Sequence, residues 1–369
     1  MPDDQPASNV IAAVLVEDPD RLDGAVLMVR LQSQEPSLIV AVGKGPGIEA
    51  AADRLGIEWA ASAEDLEPAE DITHLWFIRD DCEARPDALA ALVADGDRVE
   101  ASVAGSKVLD AADRDHLLSI GGATDVFCTP VPLLSEDELD QGQYDVIRDV
   151  AYIPSQSVVI RKDAFRGLGG LDRMMAPDAA GIDFSVRARL AGGRVVIVPS
   201  SEVFSEGSFA AGLPPWREQS GELRSMLKSY SWVSLLWVVP LWLLTGLVTV
   251  LGWAVMGRPG AVADFAKSIA WNLKNAGSLA RERRRVSAAR QVGDEELFRF
   301  QASGSHRFGT LRAAVVDAVR RPVERGEEAF ERVESGGPAQ GALVWGSLVV
   351  VWFLASRGIL AAGLPLGAW

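Results

Sequence analysis

The stretch FIRDDCEARPDAL, Phe77–Leu89, decides how the chain folds. Its first residues close an apolar run, Leu75-Trp76-Phe77-Ile78, that reads as a buried strand. Two adjacent carboxylates, Asp80 and Asp81, follow at the carboxyl end of that strand. Pro86 then stands in the first turn of an expected helix over 86–95, where its missing N–H costs nothing. Strand, acidic loop and helix in this order belong to an α/β protein, whose ligands collect at the carboxyl ends of strands. Two acids there can hold a divalent metal and a phosphate. An ordinary strand-to-helix loop has the same appearance, so the rest of the chain must decide between them.

The surrounding pattern repeats the unit. Residues 10–17, VIAAVLVE, predict a strand, and 20–34 carry apolar residues at helical spacing. A second strand at 37–43 runs into the turn KGPG, and a helix over 48–56 stops at Gly56. The third strand, 73–78, leads through the helix at 86–95 to a further strand at 99–105. Later, 183–204 reads as a helix entering an apolar strand. Alternation of this kind predicts an α/β domain over 1–222 with a mostly parallel sheet covered by helices.

Charge narrows the partners. Thirty-six Lys and Arg face 51 Asp and Glu, a net charge of −15, which argues against a nucleic-acid partner. The acids crowd the first 220 or so residues, whereas 258–290 is basic, with Arg281, Arg283, Arg284 and Arg285 clustered. Next to a membrane segment, that cluster is placed to meet anionic lipid headgroups. Two cysteines, Cys82 and Cys128, imply no disulfide framework and suit a reducing compartment. The acidic start MPDDQPAS lacks the pattern of a signal peptide.

Two apolar stretches follow the domain. Residues 231–257 contain no charged side chain, and 341–360 contain only Arg357. About 20 apolar residues span a bilayer, so both are expected membrane segments, with a buried soluble helix the alternative for each. The basic, helical segment 258–340 and the N-terminal domain should both be cytoplasmic, at the inner face of the cell membrane. One straight span at 231–257 cannot leave both flanks on one side, which makes a re-entrant hairpin at Pro240 the second reading.

Four stretches, in order, resemble glycosyltransferase family 2, and in particular its membrane-attached actinobacterial members that build cell-envelope glycans. They are FIRDDCEARPDAL; VAGSKVLD, 103–110; ELDQGQYDVIRDVAYIPSQSVVIRKDAFRGLGGLD, 138–172; and DFSVRARLAGGRVVIVPSSEVF, 183–204. The resemblance covers roughly 10–210 and implies a GT-A fold. It further implies a nucleotide-sugar donor, an Mg²⁺ or Mn²⁺ cofactor, a glycan or lipid-linked acceptor, and a carboxylate base.

Carried over residue by residue, it makes Asp81 the second acid of an Asp-x-Asp metal motif, with Arg79 in the place of the first. Asp80 lies between them as a substitute ligand, and Glu206 stands near the place of a metal-binding His now occupied by Ser205. Glu17 and Asp18, after the first strand, are donor-side candidates, though Asp18-Pro19 also reads as a turn. The second strand ends at Gly43-Lys44 where the family has an acid. Gly181 occupies the base position, which leaves Asp183 and Asp178 as candidate bases. Asp183 has a helix cap as its ordinary role. His74, His116 and His306 lack ligand spacing. Because the departures fall on the chemistry, two readings stand: a membrane-associated glycosyltransferase, or an inactive glycosyltransferase-like scaffold that partners an active envelope enzyme. A membrane-anchored assembly factor with a similar fold is the third.

Overall fold

The structure, a computed structural model, describes residues 9–135, 137–207, 213–255 and 260–302. The expected span at 341–360, residues 303–340 of the basic segment, and His306 lie outside the described residues. The chain divides into two compact units, Met1–Val239 with Lys267–Ser305, and Pro240–Ala266 with His306–Trp369.

The first unit opens with β1 (Val10–Leu15), α1 (Leu22–Arg30), β2 (Leu38–Val42), α2 (Pro46–Leu55) and β3 (Glu58–Ala60). Then come β4 (His74–Arg79), β5 (Cys82–Ala84), α3 (Ala88–Arg98) and β6 (Ala101–Asp110). Short strands follow: β7 (Leu117–Ser119), β8 (Gly122–Thr124), β9 (Pro130–Pro132) and β10 (Arg148–Asp149). The chain returns through β11 (Ser157–Arg161), α4 (Lys162–Leu168), α5 (Pro177–Leu190), β12 (Arg194–Ser205) and α6 (Pro215–Ser229).

The main sheet runs β10-β12-β6-β11-β4-β1-β2-β3, with β5 added to β12 and β7 to β6. Strand β1 is parallel to both β2 and β4, and β3 continues the parallel set. β11 inserts antiparallel between β4 and β6, so β6 and its partner β12 run with β1. The long strands are therefore mostly parallel, as the alternating pattern predicts. Their residues divide by alternation between two cores. Ala12, Val14, Trp76 and Ile78 face α1, α2 and α3 with Leu22, Val26, Leu89 and Leu92. Ile11, Ala13, Leu75 and Phe77 face the other side with Phe165, Leu168 and Phe184. Burial on both faces explains why these strands read as continuous apolar runs.

Two boundaries differ from expectation. The acidic loop of the opening stretch is followed by β5, so the next helix begins at Ala88. The helix expected from Asp183 begins six residues earlier, at Pro177, as α5. Pro177 suits a first helical turn and Ala179-Ala180 are strong helix formers, which outweighs the single Gly181.

Beyond α6 the described chain is helical: α7 (Trp232–Val255), α8 (Gly260–Lys274), α9 (Ala276–Ala289) and α10 (Asp294–Phe298). α7 runs from Trp232 to Val255 with Pro240 inside it. Trp232–Trp253 is long and apolar enough to cross a membrane. Its 22 residues reach roughly 33 Å at 1.5 Å each, against a hydrocarbon core of about 30 Å. An apolar stripe along α7 is exposed, including Val233, Leu236, Leu244, Leu247 and Leu251. Within the first unit α9 packs on α6, and Arg283 lies 4.2 Å over the ring of Trp232 and donates to the Leu227 carbonyl. Arg281, Arg284 and Arg285 remain on the exposed face.

Candidate functional site

The carboxyl ends of β1, β2 and β4 form one shelf, and Asp80 ties two of its loops together. The Asp80 backbone N–H donates to the Leu15 carbonyl at 3.0 Å. Its Oδ2 accepts the backbone N–H groups of Glu17 and Asp18, both at 2.8 Å. Oδ1 is buried and has no hydrogen-bond partner among the described residues. Burial raises the pKa of this carboxyl against the pull of the two N–H groups, and the nearby Asp81 charge adds to the rise. Asp80 is thus a brace between loops with one oxygen left over.

Asp81 is held from the opposite direction. Arg79 Nε donates to its Oδ1 at 2.9 Å and Arg79 Nη2 to its Oδ2 at 2.6 Å, a two-pronged fork between buried groups. Ser205 Oγ donates to Oδ2 at 3.1 Å, and Cys82 Sγ lies 3.4 Å from Oδ1. Burial would raise the Asp81 pKa, but the Arg79 guanidinium outweighs it and holds the carboxyl below its usual range. Burial also pushes the Cys82 thiol up, as its acidic neighbours suggest. Arg79, in the place of the first acid of the implied Asp-x-Asp motif, therefore engages both oxygens of Asp81.

The remaining candidates are spread out. Glu206 pairs at the surface with Arg21, 2.8 Å away, while its backbone N–H reaches the Asp81 carbonyl at 3.3 Å. Asp18 caps the short helical turn Pro19–Arg21 by accepting from Asp20 N at 3.0 Å, the turn role its Pro neighbour suggests. Glu17 is exposed beside it. Among the described residues no three His, Cys, Asp or Glu side chains converge as a metal cage. The resemblance implies Mg²⁺ or Mn²⁺, ions that need several oxygen ligands at close range. Of the Asp80 and Asp81 oxygens only Asp80 Oδ1 is uncommitted, so the residues present do not fit the ion.

The two candidate bases separate clearly. Asp183 lies in the second turn of α5 with no exposed side chain, so it caps nothing. Its Oδ2 accepts from Arg187 Nε at 2.8 Å and Lys228 Nζ at 2.9 Å. Lys228 also reaches Asp172 Oδ2 at 2.7 Å, as does Arg224 Nε at 2.7 Å. This buried cluster clamps α5 and α6 to the turn before α5. Burial would raise the Asp172 pKa, but Lys228 and Arg224 overcome it and hold the group well below the usual carboxylate range. A depressed carboxylate stabilises the fold above its unfolded pKa, near ~4, and loses that contribution as the pH falls. Thermal melts between about pH 5 and pH 2 should therefore show a falling Tm that Asp172→Asn flattens; parallel curves would contradict the cluster's role.

Asp178, by contrast, is in the first turn of α5 with its side chain 48% exposed. Its Oδ1 accepts from Ser155 Oγ and lies 4.0 Å from Arg79 Nη1. Ser155 in turn lines a cavity of about 330 Å³. Its floor is formed by Leu15, Val42, Gly43, Phe77 and Val158, and its far wall by Ala180, Gly181 and Phe184 of α5. Lys44, Arg173 and Arg217 also line it. Gly43 is required there, because a Cβ would come within 2.7 Å of both the Val16 carbonyl and the Ile48 side chain. Gly181 is not so confined, since a Cβ would lie 3.4 Å from the Ile153 carbonyl.

Ser155 and the cluster partners Asp172, Arg224 and Lys228 escape sequence reasoning. The one signal in the chain was the spacing of Arg224 and Lys228, four residues apart and so on one face of a helix.

No protein-family model and no curated protein matches the chain. Among solved structures it is similar to GalNAc-T7 with UDP, GalNAc and Mn²⁺, at 15% identity and a TM-score of 0.45. That match covers 60% of this chain and 48% of the other, so the chain spans about half the length of GalNAc-T7. It is also similar to the mannosyltransferase PcManGT from Pyrobaculum calidifontis in complex with GDP-Man and Mn²⁺, at 13% identity and a TM-score of 0.41. There the match covers 78% of this chain and 88% of the other. Likenesses this distant assign no residue a role.

Proposed function

We propose that the chain is a family 2-type glycosyltransferase of GT-A fold that takes a nucleotide-sugar in the 330 Å³ cavity and works at a membrane surface. The observation that carries this reading is the cavity's position. The chain builds β1, β2 and β3 outward in one direction, then returns to place β4 on the other side of β1. Strand order reverses at β1, and the cavity opens beside the carboxyl ends of the strands there, the crevice where α/β sheets bind nucleotides. Its apolar lining suits a nucleoside, while Lys44 and Arg217 bring positive charge for a diphosphate, with Arg173 shared with Glu64 and Asp172 held by its own cations. The four motif stretches support the same assignment.

The reaction needs a base and a leaving group. Asp178 is the carboxylate able to meet an acceptor, being half exposed and oriented by Ser155. It takes the proton of an acceptor hydroxyl while that oxygen bonds to the anomeric carbon. The bond from that carbon to the diphosphate breaks, and the nucleoside diphosphate leaves with the electron pair. The exposed apolar stripe of α7 and the exposed arginines of α9 support attachment to an anionic inner membrane face, with a glycan or lipid-linked acceptor of the cell envelope.

A second reading keeps the cavity and removes the turnover: a binding module that partners an active envelope enzyme. Gly181 at the implied base position and the Arg79–Asp81 fork favour it. Titration calorimetry on the full chain in detergent, with UDP-, GDP- and dTDP-sugars, tests the common core. One donor should bind with Kd in the range of about 1 μM to 1 mM, as enzyme substrates do. Failure of every donor to bind would sink both readings.

A further inference from the structure

We propose that this domain uses no divalent cation, and that the Arg79 guanidinium permanently occupies the place where one would bind. The meaning of the inference rests on the nucleotide-sugar reading, although its test does not. Three observations carry it. The fork from Arg79 engages both oxygens of Asp81 at 2.9 and 2.6 Å, so the expected ligand is neutralised inside the protein. Ser205, standing where the resemblance has a metal-binding residue, donates to the same Asp81 Oδ2 that Arg79 already engages, which leaves that oxygen doubly committed. Asp80 spends one oxygen on the Glu17 and Asp18 N–H groups, which fixes the loop that would have to open for it to turn.

The charge arrangement extends toward the cavity. Arg79 Nη1 lies 4.0 Å from Asp178, whose partner Ser155 lines the cavity, so the guanidinium stands between the buried acid and the exposed one. A guanidinium in this position repels any metal ion brought beside it.

Electron paramagnetic resonance of Mn²⁺ reads this directly, because protein-bound Mn²⁺ loses the sharp signal of the free ion. The full chain in detergent should leave the signal of added Mn²⁺ unchanged, alone and with UDP or GDP. Arg79→Met, which keeps much of the volume and removes the charge, should release Asp81 and reduce the free signal. Adding Asp81→Asn to that variant should weaken the acquired binding by roughly tenfold or more. Where Arg79→Met is poorly folded, its melting temperature supplies the readout: Mn²⁺ should raise it and leave the unaltered chain's unchanged.

Loss of free signal with the unaltered chain, abolished by Asp81→Asn, would overturn the inference. So would a folded Arg79→Met that ignores Mn²⁺. A failure of donor binding in calorimetry strikes both readings of the cavity and leaves this inference standing. Mn²⁺ capture by the unaltered chain strikes this inference alone.

Discussion

Asp183→Ala should cost the folded protein about 3–5 kcal/mol, seen as an early urea transition, because it leaves buried cations without their counter-ion. Asp183 lies at the centre of the cluster that joins α5 to α6, with Arg187 and Lys228 both within 2.9 Å of its Oδ2. Neither cation has exposed side-chain area to spare: Lys228 is fully buried and Arg187 nearly so. Lys228 keeps Asp172 after the substitution and Arg187 keeps the Leu168 and Gly170 carbonyls, yet Asp172 must then serve two cations alone. The penalty comes from the charges stranded, more than from the attraction lost. If Asp183→Ala unfolds like the unaltered chain but loses turnover, the acid is a catalytic base after all and the cluster is incidental.

Asp178→Asn should behave in the opposite way. Stability should be close to unchanged, because the side chain is half exposed and an amide can still accept from Ser155. Donor binding by calorimetry should also persist, since the nucleoside floor and the cations that line the cavity are untouched. Turnover should fall by about 10²–10⁴-fold, the usual contribution of a general base. Detection by nucleoside diphosphate release separates the possibilities. Equal turnover in Asp178→Asn and the unaltered chain would remove Asp178 from the chemistry. No turnover from either, with donor bound, would favour the binding module, and Gly181→Asp then becomes the informative change, because its Cβ has room beside the Ile153 carbonyl.

Much of the fold was legible along the chain. The runs that became β1, β2 and β4 are apolar throughout because each is covered on two faces, and the helices between them carry the matching stripe. Legibility failed where a residue's environment comes from distant sequence. The inserted antiparallel β11 could not be seen from its own five residues, because its direction depends on β4 and β6 beside it. Asp183 looked like a helix cap because the Ala/Gly run before it resembled a loop, and only the folded chain shows α5 starting at Pro177. Arg79 was visible as a misfit in a metal motif, but its fork onto Asp81 was not.

The sequence by itself determined the layers, the strand ends at which ligands collect, and an apolar helix after the domain. These follow from composition and period, which act locally along the chain. Tertiary structure alone decided what each carboxylate does. Asp80, Asp81, Asp178 and Asp183 are chemically one group, and they differ only in what surrounds them: two backbone N–H groups, a guanidinium, a hydroxyl at the cavity edge, and a pair of buried cations. A carboxylate's charge, reach and exposure depend on partners as far as 124 positions away, as with Ser205 and Asp81, and no local pattern encodes them.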